Sequence, residues 1–508
     1  MWRQASWGEK PLFELSKYGK PTYYFGDVAE FAEEVGSIEG LLPKDILRSE
    51  PPQIPNISEV EVVRHFMRLS QMSYGVDLGP VPLGSCTMKY NPKICEELAN
   101  DEYVTDLHPY QDEDTVQGIL AVMYLLQKWL AEITGMDECC LQPPAGASGE
   151  LTGALMIKKY HLDRGESFRD EMIIPDNAHG SNPASAAMAG LKVVRIPTSD
   201  SGEVDIDALK SVLSRRTAGI MLTNPNTLGI FESRIVEIAD LVHGSGGLLY
   251  YDGANLNGIL GIVRPGDMGF DIVHLNIHKT FGAPHGSGGP GAGVVCAKGE
   301  LVDYLPVPTV GFDGVKYFFN YGRRRSIGRV SQFYGNVIPL VKAFIYILTL
   351  GPNIREVCEV AVLNTNYFIK LVEGVRGISI PYGRGRFRKH EVVLSFEDLL
   401  RDTGVSAEDV AKALLDRGVH APTIYFPLIV KEAHMVEFTE TETKENIEMY
   451  AELYRSIVED AYKDPAKLKR CPENTSIGRL DLGLANHPLT RAPTYKFLSR
   501  LSREVLSK

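Results

Sequence analysis

Lys279 stands in the stretch HLNIHKTFGAPHGSGGPG, His274 to Gly291, where an apolar run gives way to a glycine-dense loop. A solvated surface lysine needs no such setting. At the carboxyl end of a buried strand an amine is expected to be shielded from water, and such shielding favours the neutral form. A neutral amine in such a place attacks carbonyl carbon.

Other groups with chemical potential follow other apolar runs. Gly146, Ala147 and Ser148 follow CCLQPP and open a helical pattern. Small residues at a helix N-terminus let free N–H groups approach a phosphate. His179 follows EMIIP and offers an imidazole face to a planar ring. Asn224, Asn226 and Thr227 follow AGIMLT, where a turn accounts for them equally well. Asp252 follows GLLYY, either as a helix cap or as a buried anion for a cationic ring nitrogen. His278 adjoins Lys279, either orienting it or carrying a proton.

A phosphate cradle, a stacking ring, a carboxylate and a desolvated lysine are together what pyridoxal phosphate requires. Rival sites fare worse. His274, His278 and His285 suit a metal only on a helix, and here the segment reads as a strand with no HExxH glutamate. A dinucleotide enzyme needs GxGxxG after an early strand, and none occurs.

These residues need elements to carry them. EMIIPD, LKVVRIP, AGIMLTNP, GLLYYDG, DIVHLNIH and GAGVVCAK read as strands. SNPASAAMAG, DIDALKSVLSRR and RIVEIADLVHGSG read as the helices between them. Such alternation predicts an α/β fold with a mostly parallel sheet, whose ligands sit beyond the strand carboxyl ends. Three segments are expected: an N-terminal arm and helix over 1–85, a large cofactor-binding domain over 86–335, and a smaller α+β domain over 336–508. The arm includes LLPKDILRSEPPQIPNISEV, too polar and proline-rich to fold alone.

The chain has 508 residues and a net charge of -12, which argues against nucleic acid as main partner. No apolar run reaches about 18 residues, so no membrane span is expected. The N-terminus lacks a signal-peptide layout. Seven cysteines, two of them adjacent, suggest neither a disulfide framework nor a zinc site. A reducing cytoplasm is the expected location.

Several stretches, in order, resemble the glycine cleavage system P-protein family. They are PLGSCTMKYNPK from Pro82, PPAGASGE, YYDGANLNG, the Lys279 segment, SIGRVSQFYGN, HAPTIYFP and FTETETKE. The resemblance spans nearly the whole chain, and its length is similar to a separate cofactor-bearing subunit. It implies a fold-type-I pyridoxal-phosphate enzyme that decarboxylates glycine and passes the aminomethyl group to the lipoyl arm of the H-protein. It further implies glycine dehydrogenase subunit 1 as partner, in an α2β2 heterotetramer.

Carried onto this chain, Lys279 holds the cofactor, Asp252 its ring nitrogen and His179 its face. Gly146, Ala147 and Ser148 hold the phosphate, Thr227 the ring oxygen or phosphate, and Ser85 and Thr87 lie on the substrate side. One departure stands out: Leu228 occupies the place of a family histidine. The alternatives are another pyridoxal-phosphate decarboxylase, an aminotransferase with Arg329 on the substrate carboxylate, or a non-catalytic scaffold subunit. Two basic runs, GRGRFRKHE and GRRRSIGR, are candidate docking sites for an acidic carrier or simply solvated loops.

Overall fold

The structure, a computed structural model, describes residues 4–15, 33–36, 38–49, 56–284, 291–491 and 494. Residues 285–290 of the loop after Lys279, and 50–55 of the arm, lie outside these. The glycine-loop expectation is therefore not addressed beyond Gly282 and Gly291.

A seven-stranded sheet organises the chain. Its strands are β1 Glu138–Cys140, β2 Glu171–Pro175, β3 Lys192–Ile196, β4 Thr217–Thr223, β5 Leu248–Gly253, β6 Ile272–Asn276 and β7 Gly293–Ala297. They lie in the order β1-β7-β6-β5-β4-β2-β3. Pairs β2/β3, β2/β4, β4/β5 and β5/β6 are parallel, and β7 runs antiparallel to both its neighbours. Every residue of β4 through β7 is buried. That is the pattern of a sheet covered on both faces. Alternate side chains feed two cores. Ile220, Leu222, Leu249, Tyr251, Val273 and Leu275 enter one. Met221, Leu248, Tyr250, Ile272 and Val295 enter the other.

The helix Gly146–Asp163 packs Ala154, Met156 and Ile157 into the second core. The helices Gln117–Thr134 and Val337–Leu350 fill the first. By length and composition Val337–Val372 could cross a membrane. It is in fact two helices, Val337–Leu350 and Ile354–Val372, broken at Gly351. Leu340, Val341 and Ala343 are buried in the core.

A smaller antiparallel sheet has the order β10-β12-β11, with β10 Glu391–Ser395, β11 Thr423–Ile424 and β12 Ala433–Glu437. The helices Ile354–Val372, Ala407–Asp416 and Lys444–Lys463 accompany it. A two-stranded ribbon, β8 Thr309–Phe312 with β9 Tyr317–Asn320, completes the strands among the described residues.

The chain forms two compact units, Gly75–Arg470 and Met1–Tyr74 with Cys471–Lys508. The first holds both sheets. The second contains the helix Glu59–Gln71, which a Ser58–Glu61 capping box starts and whose Arg68 bonds Glu9 at 2.9 Å. Among the described residues, 471–491 fall with the N-terminal residues and not with the helices and sheet of the segment expected over 336–508. Within the arm, Lys44–Ile46 forms a 3-10 turn.

The register of β1 against β7 sets Cys139 opposite Cys296, and the two are disulfide-bonded. Spacing in the sequence singles out no such pair, since 157 residues separate them. Only the sheet brings them together.

Candidate active site

The carboxyl ends of β2, β4, β5 and β6 and the start of the helix Gly146–Asp163 converge on one cavity. It is lined by Ser85, Ala147, Glu150, His179, Ser181, Thr223, Thr227, Asp252, Ala254, Asn255, Asn276 and Lys279. Five residues expected from strand-end position or resemblance therefore share its wall directly with Lys279: Ser85, Ala147, His179, Thr227 and Asp252.

Lys279 sits on a one-turn helix, Ile277–Thr280, that ends β6 at Asn276. The strand expected over DIVHLNIH is shorter for that reason. Behind the turn lies Lys89, 2% exposed. Its ammonium donates to the Thr280 carbonyl at 2.9 Å and to Asn257 Oδ1 at 3.0 Å, and pairs with Glu440 at 2.7 Å. The PLGSCTMK segment thus braces the lysine turn from within.

Asp252 is 1% exposed. Its Oδ2 accepts from Asn182 Nδ2 at 2.9 Å and from the Thr223 hydroxyl at 3.3 Å, and its Oδ1 accepts from the Ala254 N–H at 3.0 Å. Burial pushes its pKa up. The His274 ring, the Asn182 and Ala254 donors and the Lys279 charge outweigh this, so the carboxyl lies below its ordinary value. His274 Nε2 lies 2.9 Å from Asn276 Oδ1 and 3.4 Å from Asp252 Oδ1. Both are acceptors, so that nitrogen carries the proton, and Nδ1 accepts from the Tyr250 hydroxyl at 2.7 Å.

Glu150 follows Gly146 by four residues, one helical turn. Its Oε1 accepts from the Ser181 hydroxyl at 2.9 Å, and Ser181 Oγ also meets His179 Nδ1 at 2.5 Å. Glu150 Oε2 is buried with no protein partner. Burial first, and then the Asp252 charge, push this carboxyl well up. Asp252 is therefore the anion and Glu150 the neutral acid of the pair.

His179 is exposed to the cavity, with Phe426 edge-on at 5.6 Å. Enclosure lowers its pKa, Asp252 opposes the shift and Lys279 adds to it. A neutral flat ring is the form that stacks. Thr227 donates to the Asn177 carbonyl at 2.5 Å. The helix N-cap, Ala145, makes no side-chain cap, so the N–H groups of Gly146, Ala147 and Ser148 are open to an anion. Gly146 is required there, because a Cβ would stand 2.1 Å from Asn276 Nδ2. We expect Gly146→Ala to weaken pyridoxal-phosphate affinity about tenfold, or ~1.4 kcal/mol, in an absorbance titration.

These groups fit pyridoxal phosphate: an uncapped helix start for the phosphate, a buried anion for the ring nitrogen, an unpartnered Glu150 oxygen on the wall and a lysine facing them. His278 is placed differently. Its Nδ1 lies 3.3 Å from the Ala292 carbonyl, and it does not line the cavity. Thr87 is buried behind the wall, its N–H donating to Glu437 at 3.0 Å. Arg329 lies against the Tyr110 and Tyr321 rings, and no arginine is among the lining residues described. Leu228 is 2% exposed and packs with Ile230, Val393 and Met435, which explains an apolar residue there.

Each basic run is divided between internal contacts and an exposed part that includes Arg324 and Arg325. Arg386 pairs with Glu203 at 2.6 Å. Arg388, 2% exposed, donates to the carbonyls of Gly383, Arg386 and Tyr382. Arg323 bonds the Val302 carbonyl and Glu138. Arg384 remains exposed. Arg388→Met should cost about 1–3 kcal/mol in denaturant unfolding, because it strands buried carbonyls. An unchanged midpoint would return Arg388 to a surface role.

Residues 32–314 match the family model described as glycine cleavage system P-protein, and 357–473 that of glycine dehydrogenase, C-terminal domain. The chain is 56% identical over 524 residues to a probable glycine dehydrogenase (decarboxylating) subunit 2 of Staphylothermus marinus, covering 99% of each. It is 56% identical over 502 residues to the protein of the same name from Pyrococcus abyssi, covering 98% of each. A solved structure of glycine decarboxylase (P-protein) of the glycine cleavage system, in inhibitor-bound form, superposes with a TM-score of 0.70. It shares 22% identity and covers 86% of this chain and 100% of its own. A NifS-like protein superposes at 0.57 with 14% identity, covering 74% of this chain and 98% of its own. At these identities the two structures show the fold alone.

Proposed function

Because this chain belongs to the glycine cleavage system P-protein family, we propose that it is the pyridoxal-phosphate-bearing subunit of a glycine dehydrogenase (decarboxylating). The observation that carries the reading is the convergence of Lys279, Asp252, His179 and the open helix start on one cavity. Pyridoxal phosphate supplies an electron sink for the pair left on the glycine α-carbon when carbon dioxide departs.

The chain's own residues do the rest. The N–H groups of Gly146, Ala147 and Ser148 anchor the phosphate. Asp252 stays ionised in its frame of donors and holds a proton on the ring nitrogen. His179, held by Ser181 and by the edge-on Phe426, would offer its ring face to the cofactor. Thr227 and Asn255 close the wall that Ser85 completes. Lys279, on the turn Ile277–Thr280 just beyond β6, would hold the cofactor through its amine, and the same amine, once free, would be available as a base.

The acceptor in this proposal is a lipoyl carrier, the H-protein, which takes the aminomethyl group. A second, related subunit completes the enzyme, in an α2β2 assembly, and the relatives' title "subunit 2" supports a partner chain. The location we propose is cytoplasmic. The Cys139–Cys296 disulfide departs from the cysteine pattern on which that expectation rests.

The test mixes this chain with the related subunit encoded by the same organism and with a lipoylated carrier, and follows exchange of labelled bicarbonate into glycine. Exchange is expected only when both chains are present and only with glycine. Full exchange by this chain alone, or exchange with alanine at a matching rate, would overturn the proposal.

A further inference from the structure

Glu391 opens β10 and Glu437 closes β12, and the antiparallel register sets them directly opposite each other. Both are buried, at 0% and 2% exposed. Like charges opposed across two strands repel even in water. Out of water, two neighbouring carboxyls do not both ionise, and the pair keeps one proton. Burial pushes both pKa values up, and the charge of Glu391 pushes Glu437 further. Glu437 is therefore the acid and Glu391 the anion.

The pair grips the cavity wall from behind. Glu391 accepts from the Ser85 N–H at 2.7 Å and from Asn255 Nδ2 at 3.1 Å. Glu437 accepts from the Thr87 N–H at 3.0 Å. Ser85 and Thr87 have φ of 65° and 47°, in the left-handed region that non-glycine residues rarely adopt. Such backbone persists only when its surroundings hold it. Pro82 and Gly84 add to the hold, because Glu437 N–H donates to Pro82 O and Gly84 N–H to Met435 O.

The charges facing the pair can all be named. Lys279 stabilises both carboxylates. Lys89 is matched by Glu440 at 2.7 Å. His390, next to Glu391, is neutral: burial and the two lysines push its pKa down to about 3. The Cys86 thiol is pushed up, chiefly by burial. With Lys89 and Glu440 cancelling, Glu391 is the anion that Lys279 meets on this side of the wall, while Asp252 meets it from the cavity. His390, Glu391 and Glu437 have the donor types of a metal site. One proton already balances the charge, however, and a divalent ion would sit among two lysines.

We propose that Glu391 and Glu437 act as a one-proton carboxyl pair that serves as counter-charge to the Lys279 nitrogen across the Ser85–Asn255 wall. They touch neither substrate nor cofactor and are positioning residues. The inference rests on Lys279 being the cofactor lysine.

The test loads wild type, Glu391→Gln, Glu391→Asp and Glu437→Gln with pyridoxal phosphate and titrates the visible absorption band with pH. Losing the anion disfavours the protonated form at the Lys279 nitrogen. The midpoint should fall by about one to two pH units in Glu391→Gln. It should stay at the wild-type value in Glu391→Asp, which keeps the charge, and in Glu437→Gln, which mimics the acid. Equal shifts in both glutamine variants, or none in Glu391→Gln, would overturn the proposal.

Should Glu391→Gln not fold, infrared spectra of the cofactor-free wild type and Glu437→Gln decide. The Glu150 acid is common to both and cancels in the difference spectrum, which must show the loss of one buried protonated carboxyl in Glu437→Gln; a difference spectrum without that loss overturns the pair. A wild-type chain with no visible band would overturn the cofactor reading itself. The infrared comparison would then still decide whether the pair holds one proton.

Discussion

A chain carrying Lys279→Ala, supplied with pyridoxal phosphate, the partner subunit and the lipoyl carrier, is expected to release carbon dioxide from glycine at least about 10³-fold more slowly. The size follows from the two tasks the proposed function gives one amine: it would hold the cofactor covalently and then serve as a base. Nothing beside it substitutes. Lys89 is committed to Thr280, Asn257 and Glu440 behind the turn, and His278 faces the Ala292 carbonyl. The substitution should leave folding intact, because the Lys279 side chain carries no core packing. Steady-state carbon dioxide release measures it. Turnover within tenfold of wild type would remove Lys279 from the centre of the account.

The second large effect is expected of Asp252→Asn. The amide keeps the shape of the carboxylate but loses its charge, so the ring nitrogen is no longer held protonated. Removing a preorganised electrostatic partner costs about 10²–10³ in turnover. The phosphate and the covalent link remain, so cofactor affinity should change far less. A comparison of kcat with the cofactor dissociation constant separates the two. A loss below about threefold would show that Asp252 does not face the ring. The surroundings explain why no neighbour replaces it: Glu150 sits beside it but is pushed to the neutral form by burial and by Asp252 itself.

Much of this site is legible in the sequence because parallel strands put their carboxyl ends on one edge. Asp252 and Lys279 follow β5 and β6, and His179 and Thr227 follow β2 and β4, so strand position alone gathers them. Ala147 is found by the same logic at the start of its helix. Ser85 is not: it enters from outside the parallel sheet, pinned to β12 through Gly84, and only the family resemblance points to it.

Glu150 carries a signal in the sequence, an acid one helical turn after a glycine cradle. Lys89 carries another, a lysine in a segment already singled out for its turn. Glu391 and Glu437 carry none. They are 46 residues apart, and only the β10/β12 register makes them neighbours. The same holds for Cys139 and Cys296. Arg388 misleads in the opposite sense, because an arginine in a basic cluster reads as surface until its buried carbonyl partners are seen.

The most direct test of the account is chemical. The chain is loaded with pyridoxal phosphate, reduced with borohydride to fix the cofactor to its lysine, digested, and mapped by mass spectrometry. The pyridoxyl group is expected on Lys279 alone, and pre-incubation with glycine before reduction should abolish the label. A label on another lysine, Lys89 included, or a label on Lys279 that glycine does not displace, would contradict it.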